Sequence, residues 1–206
     1  MKKTILVMLS GGVDSTFMLY HYLTQTEDAV HVHHISLRYP SEPRWPEEDA
    51  ASRKIVEYCR EIRPFGYSES RFDLGFRRFV GRDSDTQLLV AAKVAPNLEG
   101  EVHVALGWQY RDIEATVQRR YDVSQKLWQA LCDSMDAPFG ERVSRKLLFP
   151  LYELKVAKRE MIRLLPHELL RLTWSCRRPV RSENGISRVC GTCHACRDIA
   201  EAMASL

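Results

Sequence analysis

The stretch Ile5–Leu19, "ILVMLSGGVDSTFML", decides how the rest of the chain is read. Five apolar residues of strand-like sequence run into Ser10-Gly11-Gly12, and Asp14, Ser15 and Thr16 open a helix-like stretch. Two glycines between a strand and a helix let backbone N–H groups approach a ligand without Cβ interference. The helix N-terminus behind them adds unpaired donors and partial positive charge, which favours phosphate. A plain turn accounts for the glycines; an anion cradle accounts for the glycines and for the hydroxyls of Ser10, Ser15 and Thr16 together. The common ATPase loop requires a lysine here, and this stretch has none. Asp14 would repel phosphate in such a cradle unless Mg2+ lies between them or its carboxylate caps the helix.

Outward from this turn the chain alternates. Residues 4–9 predict a first strand and 14–25 a helix; 29–39, "AVHVHHISLRY", predict a second strand. A helix over 45–62 follows, with Pro46 near its start and acids in its first turn. "ESRFDLGF" predicts a third strand, and 84–96 a helix stopped by Pro96. A strand over 101–108, a long helix over 113–135, a strand in "LLFPL" and a helix over 155–170 interrupted by Pro166 complete the order. Strands alternating with helices imply a mainly parallel α/β sheet covered on both faces, with ligands bound outside the carboxyl ends of the strands. "SGGVDS" sits at that edge, as does the Pro-rich stretch 39–46, "YPSEPRWP".

Composition narrows the class further. With 206 residues, 45% apolar and 28% charged, the chain is long enough for one domain with a real core and a small appendage. The opening apolar run is too short to cross a bilayer and lacks a small-residue cleavage site, so it reads as a strand; the expected location is cytoplasmic, with no membrane partner. The net charge of +3 is uneven, since residues 141–206 hold 13 Lys/Arg against 7 Asp/Glu. Such a tail suits phosphate or RNA, or is simply a solvated basic surface.

The six cysteines fall into two groups. Cys59 and Cys132 lie on apolar helical faces and read as buried small hydrophobes. Cys176, Cys190, Cys193 and Cys196 crowd into the final 31 residues as C-x13-C-x2-C-x2-C, which in a cytosolic chain points to metal before disulfides. Four thiolates close a tetrahedral Zn2+ site and leave no position for water or substrate, so the site is structural. An iron–sulfur cluster is the alternative occupant. His194 lies inside the cluster as a spare fifth donor.

"SGGVDS" resembles the signature of the N-type ATP pyrophosphatases, the PP-loop enzymes, which cleave ATP to AMP and pyrophosphate and activate a carboxylate or carbonyl oxygen as an adenylate. Together with "TWSC" (173–176) and "CGTCHAC" (190–196), the chain resembles the 7-cyano-7-deazaguanine synthase family of the queuosine pathway. "VGRDSDTQLLVAAKVA", "VALGWQYRD" and "FPLYELKVAKREMI" are similar to further segments of that family. The resemblance implies a Rossmann-like, adenine nucleotide alpha hydrolase-like domain over 1–170 and a small four-cysteine zinc-binding element over 171–206. It implies an ATP-dependent ligase: ATP adenylates 7-carboxy-7-deazaguanine, ammonia displaces AMP to give the amide, and a second ATP drives loss of the amide oxygen to leave the nitrile. ATP, Mg2+ and Zn2+ are the implied cofactors, and a homodimer the implied assembly. Leu9, Ser10, Gly11, Gly12, Val13, Asp14, Ser15 and Thr16 are the implied ATP loop, Asp14 the Mg2+-associated acid, and Lys155 a phosphate contact. Arg82, Trp108 and Asp112 are assigned to substrate, and Cys176, Cys190, Cys193 and Cys196 to metal.

Three stretches depart from the family. "GWQYRDIEATVQRRYD" replaces its Tyr-Pro-Asp-Cys-Arg segment, "GRDSD" its Gly-Arg-Asn, and "RYPSEPRWPEED" its Tyr-Gly-Gln-Arg-His stretch. A divergent relative that stops at the amide, or adenylates a related carboxylate for modification of DNA or another macromolecule, is the second reading. A nucleic-acid-binding module built on the Arg-rich tail is the third, and the less favoured.

Overall fold

The computed structural model describes residues 3–73, 75, 82–109, 115–136 and 145–206. Its centre is strand β1, Lys3–Leu9, whose Ile5, Leu6 and Val7 are all 0% exposed. A strand buried on both faces needs a continuous apolar run instead of alternation, which is what "ILVML" supplies. Ile5, Val7 and Leu9 face one core cluster, Leu6 and Met8 the other.

The chain leaves β1 through helix α1 (Val13–Gln25) to strand β2 (Ala29–Arg38), then through α2 (Trp45–Arg60) to strand β3 (Gly66–Asp73). It returns through α3 (Asp83–Val94) and a 3-10 turn at Ala95–Asn97 to β4 (Glu101–Ala105), and continues through α4 (Ala115–Asp136) to β5 (Leu147–Leu148). All pairings in this sheet are parallel, in the order β3-β2-β1-β4-β5. α1 and α2 pack on the β1 face that carries Ile5 and Val7; α3 and α4 pack on the other. The direction of crossover reverses at β1, so the carboxyl ends of β1 and β4 open a crevice between diverging connections. The α/β, Rossmann-like expectation holds.

Several boundaries differ from the sequence reading. β3 starts at Gly66, not Glu69, because backbone pairing with β2 (His31 opposite Gly66) recruits residues with no apolar pattern. β5 is cut to two residues, since Pro150 opens a short helix α5 (Pro150–Glu153). The helix expected over 155–170 begins three residues later, and its expected interruption at Pro166, which has no N–H to continue the ladder, divides it into α6 (Lys158–Leu164) and α7 (His167–Leu172). Ile113 lies outside the described residues.

After α7 the chain forms a two-stranded hairpin, β6 (Val180–Arg181) and β7 (Ser187–Arg188), and a terminal helix α8 (His194–Ala204). Ala202 of α8 joins the same core cluster as Phe17 of α1 and Met161 of α6. No helix among the described residues is long and apolar enough to cross a membrane.

The β2–β3 seam is polar inside an otherwise apolar sheet. His33 meets Ser68 through Nδ1 at 2.7 Å and Ser70 through Nε2 at 2.9 Å. Burial, reinforced by neighbouring His31 and His34, lowers its pKa from 6.5 to about 4. The unfolded chain therefore takes up this proton first, and stability is full above about pH 6.5 and falls as pH drops toward 4. Urea titrations at pH 7.5 and 4.5 are expected to show His33→Gln losing less stability on acidification than the parent, by on the order of 2 kcal/mol.

Candidate active site

The loop between β1 and α1 is built by steric necessity. Gly11 has φ +80°, and a Cβ there would lie 2.9 Å from the Glu48 carbonyl oxygen. Gly107, just past β4, lets that strand end press on α1, since a Cβ would stand 3.0 Å from the Ser15 nitrogen. His34 fastens the base of the loop by joining the Leu9 carbonyl (2.8 Å) to Asp49 of α2 (2.9 Å).

Within the expected loop the residues divide by what they face. Leu9 and Val13 are core side chains and offer the site their backbone alone. Thr16 is buried and donates its hydroxyl to the Gly12 carbonyl at 2.8 Å. Ser15 Oγ accepts the Ser10 N–H at 3.1 Å and lies 3.0 Å from Ser10 Oγ. Ser10, Gly12 and Asp14 line a cleft of ≈ 350 Å³ at the carboxyl edge of the sheet.

The structure places two lysines of this segment differently. Lys155 is exposed, sits in a left-handed turn at φ +55° and does not line the cleft. Lys158, three residues on, does: it is 8% exposed and donates to the Asp14 carboxylate. The cause is the helix start, since α6 begins at Lys158, where Glu160 folds back to accept the Ala157 N–H at 2.9 Å. The "AKRE" sequence carries that signal, a Glu three residues after the N-cap position.

Arg82 and Trp108 line the same cleft, with the Arg120 guanidinium 5.2 Å from the centre of the Trp108 ring. Asp112 lies outside the described residues. A charged lattice missed by sequence reasoning closes the side nearest α2. Arg44, 3% exposed, reaches Asp83 (2.6 Å), Glu48 (3.1 Å) and Glu42 (3.3 Å), and Arg177 reaches the same Glu42 and Asp83 at 3.3 Å each. Burial pushes the Glu48 carboxyl up to about 7 against the pull of Arg44. The Pro-rich composition of 39–46 marked this stretch as a loop at the right edge but not its charge partners, which are remote in sequence.

The four expected cysteines come together. The Cys176, Cys190, Cys193 and Cys196 sulfurs all lie within 4.8 Å of one another, a group able to hold a metal ion. Gly191, at φ +70°, allows the turn between the second and third. Backbone N–H groups of Thr192 and Cys193 draw the Cys190 thiol down to about 6, toward the thiolate that a metal needs. His194 is not a member: it lines the cleft and pairs with Asp198 at 3.6 Å. Cys59 and Cys132 are buried, as expected.

A glycine loop at the sheet's switch point and a clustered set of four cysteines define a Rossmann-like α/β protein with a C-terminal four-cysteine group able to hold a metal ion. Its fold is shared with the U34-tRNA thiolase NcsA from Methanococcus maripaludis, solved with its [4Fe-4S] cluster, at 18% sequence identity and a TM-score of 0.50. The match covers 98% of this chain and 63% of that one. No family model and no curated protein matches the sequence.

The loop geometry yields a stability test. Gly11→Ala meets both a left-handed φ and a backbone clash, whereas Gly185, at φ +78°, has nothing within 4 Å. Gly185→Ala is expected to cost about 1 kcal/mol and Gly11→Ala at least about 2 kcal/mol, read from denaturant midpoints.

Proposed function

We propose that the chain is a PP-loop ATP pyrophosphatase that activates a carboxylate as its adenylate, with 7-carboxy-7-deazaguanine as the acid, ammonia as the nucleophile and 7-cyano-7-deazaguanine as the product. The observation that carries this reading is the Asp14–Lys158 pair at the mouth of a glycine loop and helix N-terminus. A carboxylate is a poor electrophile, and attack of its oxygen on the α-phosphorus of ATP releases pyrophosphate and leaves AMP as the departing group. Ammonia then adds at the acyl carbon and expels AMP, giving the amide. Attack of the amide oxygen on the α-phosphorus of a second ATP releases pyrophosphate, and loss of AMP with two protons from the adenylated amide gives the nitrile.

The chain's own residues suit the charge that moves. Backbone donors of the loop and the amino end of α1 face the phosphates, and Lys158 supplies a cation held at low solvent exposure, where it acts more strongly than in water. Asp14 is the residue that would hold Mg2+, whose chemistry when bound is to neutralise phosphate charge. Trp108 offers a planar face to a heterocycle, and Arg82 a cation to its carboxylate.

For the cysteines we favour zinc. A tetrahedral ion with Zn–S of about 2.3 Å separates its sulfurs by about 3.8 Å. Cys190 and Cys196 stand 3.9 Å apart. A cubane puts an iron between each thiolate and the cluster centre, which spreads the sulfurs further. Metal analysis of purified protein is expected to give about one zinc per chain, reduced together with soluble yield in Cys190→Ser; iron and acid-labile sulfide in its place would reverse the assignment.

Activity is tested by AMP and pyrophosphate release from ATP and Mg2+ with the deazaguanine acid and ammonia, with the product identified by mass. Lys158→Ala is expected to lower kcat/KM about 100-fold and Lys155→Ala to leave it within about twofold. AMP formed solely when tRNA is present would transfer the reading to the substrate class of the thiolase that shares this fold.

A further inference from the structure

Four consecutive residues join the cysteine cluster to the loop. The Trp174 N–H donates to the Gly11 carbonyl at 2.7 Å, and Ser175 Oγ accepts the Val13 N–H at 3.3 Å. Cys176 follows, 1% exposed, and its carbonyl accepts the Trp174 indole N–H at 3.0 Å. Arg177 then bonds Glu42 and Asp83 across the cleft wall. Cys176 is thus bracketed by residues that reach the glycine loop on one side and, on the other, the loop before α2 and the first residue of α3.

The Ser175 contact fills a gap in α1. That helix has Gly12 at its N-cap and no side-chain cap bond, where Ser, Thr, Asp or Asn is the usual acceptor. The hydroxyl that serves instead comes from 162 residues away in sequence. It fits tightly, since a Cβ on Gly12 would stand 3.2 Å from Ser175 Oγ. A hydroxyl accepts and donates. Ser175 can hold the Val13 N–H in line, yield it to a phosphate oxygen and turn its own proton to that same oxygen.

We propose that the four-cysteine metal centre sets the phosphate loop through Ser175, a positioning residue whose place is fixed by metal bound at Cys176, so that metal occupancy controls affinity for a nucleoside triphosphate. This rests on the reading that the loop holds the phosphates of ATP. Loss of the hold at Cys176 would loosen Ser175, whose hydroxyl meets the loop at the Val13 N–H, while Trp174 keeps its packing on the core and Arg177 its ion pairs.

The test is ATP binding with Mg2+, by calorimetry on the full chain. Ser175→Ala, with its metal content and melting temperature matching the parent, is expected to weaken ATP binding about tenfold and to raise KM for ATP more than it lowers kcat; Ser175→Thr, which keeps the hydroxyl, restores binding to within about threefold. Metal-stripped parent protein is expected to show the same loss, reversed by added zinc. Should stripping unfold the chain, the Ser175→Ala and Ser175→Thr pair decides. Parent-like ATP affinity in metal-loaded Ser175→Ala overturns the inference and leaves the adenylation reading standing. A metal-loaded parent that binds no ATP overturns both.

Discussion

Closure of β1 to water on both faces is the constraint from which the rest of the architecture follows. A strand with Ile5, Leu6 and Val7 fully covered has nowhere lateral to present a polar group. Chemistry is confined to the strand's carboxyl end, where the chain leaves the sheet. The backbone there turns through a left-handed glycine directly against the α2 backbone. The loop is thereby wedged between three elements before any ligand enters, and a preset donor array needs little reorganisation to meet developing charge.

The parts of this design legible in the sequence are those whose chemistry is local. "SGG" between an apolar run and a helix start announces its own turn, and C-x2-C-x2-C announces that its three sulfurs gather, because they lie within one turn and the start of α8. Cys176 was legible as well, being the one other cysteine near the cluster. Residues whose role depends on where the chain returns in space were harder to read. Lys155 follows from the resemblance of its segment to a family element, whereas the cleft position of Lys158 depends on a left-handed turn at Lys155 and a helix start at Lys158. Arg44, Glu48, Asp83 and Arg177 each look like solvated charges in sequence, yet they share one another's counter-ions across α2, α3 and the cysteine segment. β3 shows the same limit for secondary structure, since its first residues are strand by virtue of β2 and not of their own composition.

The charged lattice also shapes the cleft's electrostatics. Arg44 and Arg177 lie among Glu42, Glu48 and Asp83, so the wall beside α2 presents a nearly balanced field. Lys158 is balanced in turn by Asp14, and Arg82 adds a further cation to the cleft lining.

The glycine loop belongs to the first residues of the chain, but its partners come late. Lys158 joins Asp14 across 144 positions and Ser175 joins Val13 across 162. Contacts of such separation carry the loop-closure entropy of nearly the whole chain, so they form after the sheet that brings them near. A polypeptide emerging N-terminus first would thus build the sheet and its glycine turn early, with Asp14 uncompensated and α1 uncapped, until Lys158 and Ser175 dock. Competence of the site becomes a report that the segment carrying Lys158 and Ser175 has docked.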